Sequence, residues 1–279
     1  MNDPAIDVLF ICVPNYLIKD YVIEALESGK HVFCEKPPGI NAGQVREMME
    51  AEKRHPELKL MFGFNHRHHE SMIMSKQIID SGKFGKLLWM RGRYGKSVNA
   101  DFMKNWRANR KTAGGGILLD QGIHMLDLFL MMAGDFEEVE AYVSDLFWKL
   151  DVEDNVFAIF RNKNGQVASL HSTMTQWRHL FSLELFLEKG YIVINGLLTR
   201  SGAYGEEAMS IAENRTIAPM ATWSKEEEMV FRVNTSWKTE VGMFLDSIKN
   251  NKKIPVGNTQ DALKLMNLID KIYAKGKKL

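Results

Sequence analysis

A chain of 279 residues, 45% hydrophobic and 25% charged, is globular and long enough for one large or two ordinary domains. Lys and Arg total 36 against 35 for Asp and Glu, which excludes a global electrostatic case for nucleic acid or an anionic membrane and favours a small-molecule partner. No apolar stretch approaches the roughly 20 residues of a membrane span, no basic segment with an apolar signal core opens the chain, and Cys12 and Cys34 read as buried free thiols of a soluble, cytoplasmic protein.

A turn at Asn2-Asp3-Pro4 leads into a continuous apolar run, Asp7 to Val13, closed by Pro14 and suited to a buried parallel strand. Tyr21, Val22, Ala25 and Leu26 then stand at helical spacing, with Gly29 at the stop position. A second strand, Val32 to Cys34, a helix from Ala42 to Arg54 and a third strand, Leu58 to Phe62, complete a βαβ alternation. Beyond Gly63 the pattern predicts a helix over Ser71 to Ser81, a strand over Leu87 to Tyr94 and, after Gly114-Gly115-Gly116, an apolar helix from Ile117 to Ala133. Strands follow at Val139 to Val143, Val156 to Phe160, Val167 to Thr173, Leu183 to Leu187 and Tyr191 to Ile194, joined by turn signals of an antiparallel sheet. Leu198 to Lys225 reads as irregular. Helices from Ser236 to Lys249 and from Thr259 to Ala274 close the chain, the second capped by Asn258. The fold class is therefore α/β plus α+β, a parallel sheet followed by a mainly antiparallel one with helices on one face.

Glu35-Lys36-Pro37 puts a charged pair and a φ-locked residue at the carboxyl end of a strand, where α/β sheets bind ligands. Asp120 and His124 are four apart on a predicted helix, so both side chains point from one face, and a carboxylate beside an imidazole makes a general acid/base near neutral pH. Each has a bland reading too: a core or surface histidine, a solvated lysine with Glu35 as its ion-pair partner. His66, His68 and His69 stand at a spacing non-specific for metal, and no metal site is expected. The glycine triplet lacks the Gly-Lys-Ser or Gly-Lys-Thr of a P-loop and reads as a tight turn. The 17 methionines read as core filler.

These residues in this order resemble the glucose-fructose oxidoreductase, inositol dehydrogenase and rhizopine-catabolism (Gfo/Idh/MocA) family. The likeness rests on Asp7-Val8 to Pro14-Asn15, Glu24 to Val32, Glu35-Lys36-Pro37, Trp106-Arg107, the glycine triplet, Asp120-Gln121-Gly122-Ile123-His124 and Val152-Glu153-Asp154. It implies a partial Rossmann domain over 1–64, an α+β substrate and oligomerisation domain over 65–257, and a C-terminal helix, 258–279, packed back on the first. It further implies hydride transfer between NAD or NADP and a sugar-like alcohol or ketone, in a homo-oligomer assembled through the second sheet. By that resemblance Lys36 would polarise the reacting oxygen, His124 would accept the proton, and Asp120 would orient the substrate or the imidazole. Pro14, Asn15, Glu35 and Lys36 would line the nicotinamide-ribose end, and Arg67, Trp106 and Arg107 the substrate pocket. Ile18 stands where many members carry a histidine.

The family's G-x-G-x-x-G turn is absent from this sequence, so two βα units and a strand are expected to be missing before Met1. Asp7 to Val13 is then expected to form an apolar sheet edge. Two or three lost charge-assisted hydrogen bonds to the pyrophosphate amount to roughly 3 to 9 kcal/mol, which makes dinucleotide binding by this chain weak. Two readings stay open beside a fold-level likeness: an oxidoreductase complete only in a longer chain, and a non-catalytic sugar-binding or assembly protein.

Overall fold

The structure, a computed structural model, describes residues 1, 3–214 and 222–276; Asn2 of the expected first turn and part of the segment read as irregular lie outside them. Strands Val8–Ile11 (β1), His31–Glu35 (β2) and Leu60–Gly63 (β3) pair in parallel in that order, with helices Ile18–Glu27 (α1) and Ala42–Arg54 (α2) as crossovers. Asn41 caps α2 by accepting the Gln44 N–H, which satisfies one of the orphan donors of the first turn. The expected seven-residue first strand is four residues long and is an edge. Phe10 is 49% exposed there. Cys12, expected to be buried, is exposed because it follows the last residue of that edge strand and faces the cleft described below; Cys34 is buried in β2.

Helix Glu70–Ser81 (α3) leads to Leu87–Ser97 (β4), the short helix Arg110–Ala113 (α4) and the core helix Ile123–Ala133 (α5). Then come Glu138–Ser144 (β5), Asn155–Arg161 (β6), Val167–Thr173 (β7), Thr175–Leu187 (β8), Gly190–Asn195 (β9), Glu207–Glu213 (β10) and Glu227–Phe231 (β11). These form an eight-stranded sheet ordered β11-β10-β9-β8-β4-β7-β6-β5, antiparallel except where β4 runs parallel to β7. Strand β10 corrects the expectation of an irregular segment over Leu198 to Lys225, and β11 follows just past it, where no element was expected. One face is buried under α5, where Gly92 of β4 allows the contact: a Cβ there would overlap Met125 and the Phe129 ring. Each fully buried Leu or Phe on such a helix contributes about 1.5 to 3 kcal/mol. The other face is open and partly apolar, with Phe157 and Ile159 about half exposed and Trp89 stacked on Phe186.

Ser236–Lys249 (α6) packs Phe244 against Phe33 of β2, with ring centroids 5.6 Å apart. Thr259–Lys275 (α7) packs on α2 and β3 and also on α5 and β5, so it lies against both sheets. Just before it, the Gly257 carbonyl accepts the Phe62 N–H at 2.7 Å and covers the outer edge of β3. By length and hydropathy the stretch Arg110–Ala133 could cross a membrane, contrary to the expectation of no such stretch; 72% of its most apolar window is buried within the protein, as in a core helix.

Candidate active site

β2 ends at Glu35, so Lys36 leaves the sheet at its carboxyl end, and the Lys36–Pro37 peptide is cis. Its Nζ donates to the backbone carbonyl of Asp120 at 2.7 Å and lies 3.9 Å from the Asp120 carboxylate. That carbonyl belongs to a single π-helical turn, Leu118–Gly122, which widens the start of the core helix; such turns recur at functional sites. Burial pushes the Lys36 ammonium below its ordinary pKa, against the pull of Asp120 and Glu35. Glu35 is itself raised by burial, with Lys36 opposing.

Three cations surround the Asp120 carboxylate: Lys96 is hydrogen-bonded to Oδ2, while Lys36 and Arg107 lie 3.9 and 3.7 Å from Oδ1. Burial disfavours its charge, yet Lys96, Lys36 and Arg107 hold the carboxyl below the usual range. Two of those cations also rest on aromatic faces, Lys96 on Phe102 and Arg107 on Trp106 at 4.3 Å. Lys36, Arg107, Asp120, Phe102 and Trp106 line a cavity of about 300 Å³ with Cys12, Pro14, Asn15, Glu35 and Leu119. The Asn15 amide donates to the Ala113 carbonyl at 2.7 Å, tying the end of β1 to the glycine turn. Glu153 fixes that turn from below, accepting from the N–H groups of Gly116 and Leu118 and from the Tyr273 hydroxyl.

His124 faces a different cavity, of about 900 Å³, which shares Glu35 and Lys36 with the first. Its ring stacks on His66, centroids 3.7 Å apart and 17° between planes. His66 is held at Nδ1 by the Asn65 side-chain oxygen, at 3.0 Å, and at Nε2 by the Tyr94 hydroxyl, at 2.9 Å. This assigns the proton to Nδ1 and leaves Nε2 to accept from Tyr94. Burial, then the Lys36 charge and His69, push His124 well below the ordinary histidine pKa, so its imidazole is neutral.

Of the residues picked from the sequence, Pro14, Asn15, Glu35, Lys36, Trp106, Arg107 and Asp120 therefore meet around the smaller cavity, and His124 lies on the other side of Lys36. Two expectations need correction. Arg67 lines neither cavity: it is buried, with two hydrogen bonds to Asp127 and one to Asp261, because the core has two carboxylates to neutralise there. Asp120 does not hold the His124 imidazole: the π turn breaks regular i, i+4 spacing, Lys96 takes the carboxylate, and ring stacking holds His124. The sequence reading missed Lys96, Tyr94 and the wall of the larger cavity at Leu197 to Ser201. It noticed His66 only as a metal candidate. Lys96 lies two residues past the expected end of β4, where no local pattern marks it.

A model of the oxidoreductase family with an NAD-binding Rossmann fold matches residues 1–64, and a model of the GFO/IDH/MocA C-terminal domain matches residues 73–193. A levoglucosan dehydrogenase of Pseudarthrobacter phenanthrenivorans is 29% identical over 70% of this chain, and a myo-inositol 2-dehydrogenase of Thermotoga maritima 28% identical over 69%. The matched stretch spans 57% of the length of each, little more than half of these curated relatives. A levoglucosan dehydrogenase solved with NADH and levoglucosan superposes with a TM-score of 0.85 at 24% identity, over 98% of this chain and 79% of that one. An aldose-aldose oxidoreductase from Caulobacter crescentus, solved with glycerol, gives 0.80 at 24%, over 98% and 78%. At that identity the likeness is one of fold.

Proposed function

This chain belongs to the GFO/IDH/MocA oxidoreductase family, and from that premise we propose that its paired cavities serve NAD(P)-dependent hydride transfer between a nicotinamide and a sugar-like alcohol or ketone. The observation that carries the proposal is that Lys36 borders both cavities, one with the strand-end residues and Asp120, the other with His124.

The smaller cavity suits the nicotinamide-ribose end by its donor set: Pro14 and Leu119 give apolar walls, and Asn15, Glu35 and Lys36 give polar contacts at the carboxyl ends of β1 and β2. A bound nicotinamide supplies the hydride acceptor or donor. Lys36, an ammonium anchored on the Asp120 carbonyl, hydrogen-bonds the reacting oxygen and stabilises negative charge on it. The neutral imidazole of His124 takes the hydroxyl proton in the oxidation direction and returns it in reduction. Asp120 holds Lys36, Lys96 and Arg107 in one cluster and so fixes the cation in place. Trp106 and Arg107 close the side of the cavity toward the substrate.

The same reading includes the division into 1–64, 65–257 and 258–279, a cytoplasmic location, and a homo-oligomer that covers the open face of the eight-stranded sheet, where Phe157 and Ile159 are exposed. Fluorescence titration with NADH and NADPH, followed by turnover of levoglucosan and myo-inositol with NAD and NADP, tests the activity. Weak but saturable binding with hydride transfer is expected; sugar binding without saturable dinucleotide binding would replace it by the non-catalytic sugar-binding reading.

A further inference from the structure

The larger cavity extends well beyond Lys36 and His124, and its outer wall has a charge that hydride transfer does not use. Residues Leu197 to Ser201 form that wall, and the fold pins them in place. Glu207, 1% exposed, accepts the Leu198 N–H at 3.1 Å while also binding His69 at 2.7 Å and the Ser71 hydroxyl at 2.5 Å. From the opposite side the Asn234 amide donates to the Leu198 carbonyl at 2.6 Å. The Gly196 N–H is bonded to Phe181 of the sheet, and Gly202 closes a turn on Thr199. Arg200 is thus carried on a built segment with its exposed side chain on the cavity, and among the described residues it has no ion-pair or hydrogen-bond partner.

Arg232 lines the same outer wall. Its pairing with Glu206, 3.5 Å apart and more than 70% exposed on both sides, is of the solvent-screened kind that contributes little and yields readily to a competing anion. Among the described lining residues the only carboxylate is Glu35, at the far inner end beside Lys36. Two exposed arginines, one carboxylate compensated by the neighbouring Lys36, and the half-exposed Trp237 give the outer part of this lining a net positive charge. A neutral sugar leaves the Arg200 guanidinium without a counter-charge and Arg232 with only its solvent-exposed pairing to Glu206.

We infer that the outer half of this cavity binds an anionic substituent of the substrate, a carboxylate or phosphate carried away from the reacting carbon, on Arg200 with Arg232 beside it. The substrate class is then an acidic sugar derivative. Guanidinium groups match both anions bidentately, so the shared chemistry is oxyanion recognition. The inference rests on the sugar-binding reading of the same site.

The test is equilibrium binding to the whole chain of three probes, glucose, glucuronate and glucose-6-phosphate, followed by ligand-observed NMR or calorimetry, for wild type, Arg200→Ala and Arg200→Lys. The expected result is at least about tenfold tighter binding of one or both anionic sugars than of glucose, a ratio that Arg200→Ala reduces about tenfold and Arg200→Lys partly restores. Which anion is preferred tells carboxylate from phosphate. Should Arg200→Ala fail to fold, salt gives the same answer in wild type: raising ionic strength from about 0.02 to about 0.5 M should erase the preference. Equal affinity for all three probes, or a preference indifferent to both Arg200 and salt, overturns the anion site and leaves the sugar reading intact. Binding of none of them overturns both.

Discussion

The imidazole of His66 lies flat on that of His124, 3.7 Å between centroids, and covers one face of the His124 ring. The stack replaces the carboxylate partner expected for His124 and keeps water from one face of the ring. Burial is the leading cause that holds His124 neutral. His66→Ala should therefore hydrate the ring and move its pKa back up toward the ordinary histidine value, while His66→Phe should not. The check is a pH titration of the His124 ring signals by NMR. In wild type they should stay those of the neutral ring from about pH 5 to 8; a wild-type midpoint in that window would contradict the buried, neutral ring.

Lys36→Ala and His124→Ala should each lower kcat by about 10² to 10⁴, the range for a group that donates to or takes a proton from the reacting oxygen. Dissociation constants for the dinucleotide should stay within about tenfold of wild type, since neither change removes binding surface at the pyrophosphate. Stopped-flow and steady-state measurements on a form that turns over decide it, and unchanged kcat in either variant would remove that residue from the mechanism.

Asp120→Asn tests the cluster by sign. The Asp120 charge raises the Lys36 pKa, whereas burial, Arg107 and Lys96 lower it. Removing the charge should push Lys36 further down, so the alkaline limb of the kcat/KM profile moves to lower pH. An unshifted or upward-shifted limb would show that Asp120 does not control the lysine.

Gly116 and Gly242 should respond oppositely to alanine. A Cβ at Gly116 would overlap the backbone carbonyl of Glu153, which cannot move without losing the bonds that Glu153 makes to the turn. Gly116→Ala should cost at least about 2 kcal/mol. Gly242 lies within α6, exposed and with open space around it, so alanine there should stabilise by about 0.5 to 1 kcal/mol. Urea denaturation of both variants gives the comparison.

Glu240 is a fully buried carboxyl of α6 whose oxygens have no well-formed hydrogen bond among the described residues, and burial, then nearby Glu35, pushes it up to about 8 against the weaker pull of the Phe64 backbone. In the unfolded chain it titrates at the ordinary carboxyl value, so between about 4.5 and 8 the folded form holds a proton that the unfolded form releases. Its contribution is then complete below about pH 4.5 and declines as pH rises through about 8, by on the order of 5 kcal/mol in all. Glu240→Gln should flatten that slope and stabilise the protein most at alkaline pH. Denaturation at about pH 6 and about pH 8.5 measures it, and equal slopes in the two proteins would contradict a neutral buried Glu240.

Strands with an apolar period of two were legible wherever the inward residues are apolar, as at Val167–Thr173, which has the expected bounds. Glu207–Glu213 was not, because its first inward residue is a glutamate, whose buried carboxylate binds His69 and Ser71 at the start of α3. Glu227–Phe231 is an edge strand opening on two glutamates and carries no alternation to read. At the candidate site, residue identities at Lys36, Asp120 and His124 were legible, but the partners of Asp120 were not. Helical spacing assumes 3.6 residues per turn, and the π turn at Leu118–Gly122 departs from it.

The sequence by itself determined that a strand ends in Glu35-Lys36-Pro37, that an apolar helix carries Asp120 and His124, and that glycines precede it, because each of these is set by local periodicity and backbone sterics. Only the tertiary structure decided that Lys36 donates to a carbonyl 84 residues away, that three cations share one carboxylate, that Arg67 serves the core, and that His124 lies on His66 across the lysine from Asp120. Those relations depend on which faces pack together and how much water they exclude, and no window of sequence contains both sides of the contact.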